Sequence, residues 1–212
     1  VFSILQPAVA DQRANGYPML MWSMPERTRA ISTGVVGGGI NPCRWVVNVR
    51  VEYEYHRDPV EHLTGLAAEW NLTGPGTGLL TAAGLTDFTT GTDGDAECVT
   101  TVGLTHPVRA AAPEPSVAWS PGTINTVCWV PVGLSDAALV NTVVTATEAK
   151  VQALHDAGVA GTGTPSDALV VCCPQEGDEA YGGPRSQWGR RLANAVYQAT
   201  FAGSEQWLRK AR

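Results

Sequence analysis

Basic charge is scarce. Only 14 Lys and Arg stand against 20 Asp and Glu, and charged residues of both signs make up 16% of the 212-residue chain. A net charge of -6 argues against a broad phosphate-binding face, because nucleic-acid binders carry a basic stripe. The densest basic group, Arg209-Lys210 with Arg212, falls at the end of the sequence, where fraying concentrates. Nucleic acid is not an expected partner. Long apolar runs are also lacking: none reaches the roughly 18 to 20 residues a membrane helix needs, and the N-terminal stretch has no signal-peptide layout. The membrane is therefore not an expected partner either.

Cysteine is too scarce, and odd in number, for a disulfide framework. Of the five, Cys43, Cys98 and Cys128 form no C-x-x-C pair, and Cys172 and Cys173 are adjacent. On a strand those two would point to opposite faces. A reduced, cytoplasmic protein with small buried thiols is the simplest expectation. The usual labels of hydrolytic chemistry are absent too. The four His (His56, His62, His106, His155) make no H-E-x-x-H pattern, and no G-x-S-x-G elbow occurs. No metal site is expected, and any reaction machinery must come from separated motifs.

What is present is apolar material, 44% of the chain, enough for one core. We expect a single domain over 1–212, with 1–15 as a flexible N-terminal extension. Met19–Trp22, Arg29–Val36 and Arg44–Tyr55 read as strands, rich in Val, Ile, Trp and Tyr. In the third, Val47, Val49, Val51, Tyr53 and Tyr55 alternate with Asn48, Arg50, Glu52 and Glu54, the period of a strand with one buried face. Asp58, Pro59 and Glu61 predict a capped helix running to about Trp70. Short strands follow near Gly78–Ala83 and Leu85–Thr90, then Cys98–Leu104. His106–Pro121, with four prolines, reads as an irregular loop. Thr123–Val132 is a buried strand, and Ser135 caps a long helix that Gly158 stops. Ala168–Cys173 is a last strand, and Arg185–Leu208 an amphipathic helix. No internal repeat is present. Consecutive strands with few helices predict an α+β fold: one mixed, largely antiparallel sheet covered by about three main helices.

Several stretches, in order from about Gly16 to Leu208, resemble the adenosylcobinamide amidohydrolase family. They include Arg29-Ala30-Ile31-Ser32-Thr33-Gly34-Val35-Val36-Gly37-Gly38-Gly39-Ile40 with Trp45-Val46-Val47-Asn48-Val49, and Asp58-Pro59-Val60-Glu61-His62-Leu63 leading into Gly74–Ala83. Thr101-Val102-Gly103-Leu104 is another. Gly122-Thr123-Ile124-Asn125-Thr126 is followed by Ala146-Thr147-Glu148-Ala149-Lys150, by Gly161-Thr162-Gly163-Thr164-Pro165-Ser166-Asp167-Ala168, and by Tyr181-Gly182-Gly183-Pro184-Arg185. The chain departs from the family twice. Ser32-Thr33-Gly34 stands for the usual Ser-Ser-Ala, and the Thr-Gly-Thr-Gly-Thr-Asp loop is altered to Thr162-Gly163-Thr164-Pro165-Ser166-Asp167.

The resemblance implies hydrolysis of the amide joining the aminopropanol arm to the corrin ring of adenosylcobinamide. It implies no cofactor; the cobalt belongs to the small-molecule substrate. The altered loop leaves open a different amide or ester, and a non-catalytic corrinoid-binding module is the reading from another class.

Amide hydrolysis needs an attacking oxygen, a base, oxyanion donors and a proton for the leaving amine. Ser32 is a candidate nucleophile or substrate-amide ligand, or an ordinary turn hydroxyl. Asn125 interrupts an apolar strand as an oxyanion donor or a structural linchpin. Lys150 is a candidate base or acid, against a surface lysine. It lies two residues from Glu148, hence on another helix face. The Thr162–Asp167 loop offers hydroxyls (Thr162, Thr164, Ser166), free N–H groups and the Asp167 carboxylate, or is a polar turn. Candidate substrate contacts beyond these are Gly38 and Gly39, through close backbone approach, Asn48 on the polar side of its strand, Thr123, Glu148 and Arg185. His62 reads as a helix-surface residue.

Overall fold

The computed structural model describes residues 3–10, 17–112 and 122–211. Residues 113–121 of the expected Pro-rich loop, and 1–2 and 11–15 of the expected N-terminal extension, lie outside these. Within that extension, Leu5 is buried and Ala8–Ala10 is a strand.

Instead of one sheet, the strands form two. A four-stranded sheet runs in the order β1 (Ala8–Ala10), β2 (Met19–Ser23), β5 (Trp45–Arg50), β6 (Gly76–Thr81). A six-stranded sheet has the order β4 (Gly39–Pro42), β3 (Thr28–Ser32), β10 (Ala168–Pro174), β9 (Thr123–Trp129), β8 (Ala96–Gly103), β7 (Thr89–Asp93). Antiparallel pairing dominates, as expected; β5 with β6 and β9 with β10 are the parallel pairs. Three long helices complete the fold: α1 (Pro59–Glu69), α2 (Asp136–Asp156) and α3 (Gln187–Lys210).

The layers follow from the apolar residues. Leu20, Trp22, Val46 and Leu79 of the small sheet meet Val99, Val127, Trp129 and Val170 of the large one. The outer face of the small sheet, with Met19, Val47 and Val49, packs on Leu63, Leu66 and Ala67 of α1. The outer face of the large sheet, with Cys98, Cys128, Val171 and Cys173, packs on α2 and α3. The order is helix, sheet, sheet, helices. This arrangement explains the missed sheet. Alternation in β5 predicts one buried face, but the polar side of that strand faces the second sheet, so residues 45–49 are all buried. Asn48, read as lying on a polar face, is 1% exposed.

Local signals account for the helices. Asp58 accepts from the N–H groups of Val60 and Glu61, and Pro59 occupies the first turn. Ser135 caps α2 through Ala138 N–H, and Ser186 caps α3 through Gly189 N–H. Two expected strands are shorter than predicted. β3 stops at Ser32, where the chain leaves the large sheet and Val36 bridges to Gly78 of the small one. β5 stops at Arg50, and 51–58 becomes a turn segment ahead of α1. The expected strand at Leu85–Thr90 is a single 3-10 turn, Leu85–Asp87, followed by β7.

Candidate functional site

Parallel pairing sets the starts of β9 and β10 side by side, with Ala168 opposite Asn125. The loop entering β10 therefore folds over the entry to β9. Asp167 anchors it: one carboxylate oxygen accepts from Ile124 N–H at 3.0 Å, and the carboxylate also accepts from the N–H and hydroxyl of Thr164. Its second oxygen meets Lys150 Nζ, from α2, at 2.5 Å. Both side chains are mostly shielded, at 15% and 16% exposure, and in such surroundings opposite charges attract more strongly than in water. The single Thr164 hydroxyl proton is shared between Asp167 and Gly122 O, and the Ser166 and Thr123 hydroxyls lie 2.8 Å apart. The segments Gly122–Thr126, Thr147–Lys150 and Thr162–Asp167 thus meet at one end of the large sheet.

A cavity of about 480 Å³ opens at that end. Thr123, Ser166, Asp167 and Ala168 form one wall, and Leu79, Leu80 and Thr81 of β6 with the following Ala82 another. Thr33 and Gly34 close a third side, and Tyr53, Tyr55 and Arg57 of the 51–58 segment form the lip. Lys150 lines a smaller recess of about 110 Å³ that shares Thr33, Asp167 and Ala168 with the main cavity.

Behind the cavity floor, polar groups tie the two sheets together. Asn125 Nδ2 donates to Asn48 Oδ1 and to Leu80 O, each at 2.8 Å, and Asn48 Nδ2 donates to Thr101 Oγ1 at 3.0 Å. Both Asn125 N–H groups are therefore committed within the protein, while its Oδ1 is buried with no partner among the described residues. Ser32 is also buried, with its hydroxyl 2.7 Å from Thr77 Oγ1 and accepting from Gly34 N–H.

The remaining candidates lie elsewhere. Thr162 caps Ala110 N–H and, with Glu148, borders a separate groove beside the C-terminal half of α2. Glu148 and Lys150 do face different spaces. Gly38 precedes β4 and Gly39 opens it, both exposed. Arg185 lies with Asn141 and Tyr181 in a surface dent at the start of α3.

Sequence reasoning missed the lip. Tyr53 and Tyr55 read as strand residues, and nothing in a one-dimensional pattern announces that β5 ends at Arg50. It also misplaced His62, which is 8% exposed instead of lying on the helix surface. Tyr17 packs edge-on against its ring at 4.5 Å, Tyr55 stacks on it at 5.5 Å, and the Tyr55 hydroxyl lies 2.9 Å from Nδ1. Burial, with help from the nearby Arg57 charge, holds this imidazole below its ordinary titration range. Burial pushes the Tyr55 phenol upward, and Tyr17 adds to the effect.

Comparison with known proteins agrees with the sequence resemblance. The profile of the adenosylcobinamide amidohydrolase family matches residues 6–212. A Methanosarcina mazei protein named adenosylcobinamide amidohydrolase is 28% identical over 197 residues, covering 83% of this chain and 90% of that relative. With the match extending from β1 through α3, the chain belongs to the adenosylcobinamide amidohydrolase family of enzymes.

Proposed function

We propose that this chain splits the amide between the aminopropanol arm and the corrin ring of adenosylcobinamide at the inner end of the inter-sheet cavity. The products are adenosylcobyric acid and 1-amino-2-propanol. The observation that carries the reading is the Lys150–Asp167 pair, shielded from water, with Asp167 on the wall of a cavity wide enough for a side arm and Lys150 in the recess that adjoins it.

Roles follow from free valences. Asp167 already accepts from four groups: Ile124 N–H, Thr164 N–H, the Thr164 hydroxyl and Lys150. Two carboxylate oxygens offer about four lone-pair sites, so Asp167 serves to orient Lys150. An ammonium has three N–H groups; beyond its bond to Asp167, Lys150 has donors for the amide carbonyl oxygen and its developing negative charge. Among the described residues neither Ser166 nor Thr123 hydrogen-bonds a basic side chain; their hydroxyl partners are each other and Gly122 O. A hydroxyl without an adjacent base is a weak nucleophile, and these two already bond each other, which supports a water on their cavity side as the attacking group. Lys150 gives a proton to the departing amine and regains one from the water. Asn48 and Asn125 stiffen the floor behind the reacting carbonyl.

The five cysteines are free and buried, which supports a reducing compartment such as the cytoplasm. No helix among the described residues is long and apolar enough to cross a membrane.

The test is incubation with adenosylcobinamide and assay of free 1-amino-2-propanol. Release with one equivalent of adenosylcobyric acid is the expected result. Corrinoid binding without release would favour the non-catalytic reading. Release from simpler amides alone would move the substrate assignment.

A further inference from the structure

Tyr53 is 54% exposed although it lines two cavities at once. One is the main cavity. The other, about 290 Å³, lies across a ridge made by Tyr53, Ala82 and Thr123, which the two cavities share. Trp207, Asp87 and Lys210 line the second cavity, and the last two form an ion pair at 2.6 Å. On the rim of the main cavity stands Val35, itself 55% exposed. Exposed apolar groups gathered at a cavity mouth mark a ligand contact more often than scattered ones do.

A corrin macrocycle with its axial adenosyl group is far larger than the main cavity. When the scissile arm enters, the ring must rest outside, where it needs an apolar support and polar partners for its unreactive carboxamide arms. We infer that the two cavities form one bipartite corrinoid site. The main cavity takes the scissile arm, the Tyr53 ring carries the macrocycle at the ridge, and the second cavity takes a neighbouring carboxamide arm. In that cavity Asp87 accepts from the amide N–H groups and Lys210 donates to the amide carbonyl. The inference rests on the hydrolytic reading above and adds what holds the body of the substrate. The ring of Tyr53, not its hydroxyl, makes the contact; the hydroxyl lies 3.4 Å from Thr105 Oγ1.

The experiment measures kcat and KM for adenosylcobinamide, and the dissociation constant of adenosylcobyric acid from its absorption change. The proteins are wild type, Tyr53→Ala, Tyr53→Phe and Lys210→Gln. Losing one ring contact should raise both KM and the dissociation constant about tenfold in Tyr53→Ala. Its kcat should stay within about twofold of wild type, as for a contact made equally in ground and transition states. Tyr53→Phe should restore wild-type values, and Lys210→Gln should weaken corrinoid binding without lowering kcat. Unchanged KM and binding in Tyr53→Ala, or failure of Phe to restore them, would overturn the inference. Because adenosylcobyric acid has no scissile arm, its binding reads the ridge separately from turnover. A wild-type protein that binds it through Tyr53 yet releases no aminopropanol would sink the hydrolytic reading alone.

Discussion

At Gly163 an added methyl carbon would stand 2.7 Å from Lys150 Nζ and closer still to Asp167 Oδ2. The loop passes the ion pair with backbone only, and a side chain there must push the two charges apart. Gly163→Ala is expected to lower kcat by about 10-fold or more, since small misplacements at a reacting centre are costly. Its melting temperature should fall too, because the displaced carboxylate anchors the loop on Ile124 and Lys150; steady-state kinetics beside a thermal melt checks both. Asn125 calls for a different measurement. Its two donors are used inside the protein, so its first effect is on stability. Asn125→Ala leaves Asn48 Oδ1 and Leu80 O without their donor, and should cost about 1–3 kcal/mol. A double-mutant cycle with Asn48→Ala should show coupling of about 0.5–3 kcal/mol in denaturant melts, because the two amides share one bond. Strictly additive losses would contradict the bridge between the sheets.

Helix α1 and the segment before it show how one element can be legible in part. Asp58, Pro59 and Glu61 announce its start, because capping is a local matter of backbone N–H groups and a nearby oxygen. The covering of His62 is not local: Tyr17 comes from a segment more than forty residues earlier, and no helical pattern reveals it. That burial has a pH consequence. The folded protein binds the His62 proton less tightly than the unfolded chain, whose imidazole titrates near ~6.5. Stability tied to this group is therefore complete above about 6.5 and is lost as pH falls from there toward the lowered folded value. Melts between pH 7.5 and 5.5 should show falling stability, and His62→Gln should flatten that slope. A slope unchanged in the variant would assign it to other groups. On the opposite layer, α3 lies so close to β7 that a methyl group at Gly91 would collide with Ala195 O and sit 2.9 Å from Ala199 N. Gly91→Ala should destabilise by about 1–3 kcal/mol through overpacking, measured by urea unfolding.

Across the whole molecule, the sequence disclosed the class and the order of elements, and hid the second sheet. Period-two alternation reports which side of a strand carries apolar groups; it cannot report that Asn48 and Thr77 on the other side are buried too. Polar residues satisfied between two sheets look like solvated ones until the partner strand is placed. The same ambiguity scattered the candidate site. Gly122–Thr126, Lys150 and Thr164–Asp167 come together because β9 and β10 are parallel neighbours with α2 laid over their starts. Glu148 and Thr162 share those motifs in sequence, and Arg185 belongs to a later one, but all three project to other surfaces. In the proposed function, chemistry belongs to the first group. This assignment is tested by aminopropanol release from adenosylcobinamide by Lys150→Ala and Asp167→Asn beside Glu148→Gln and Arg185→Gln, each checked for an intact fold. The first pair should lose about 100-fold or more in kcat, the scale of a lost proton donor or of its orienting charge, while the second pair keeps wild-type turnover. Full activity in Lys150→Ala and Asp167→Asn would contradict the account.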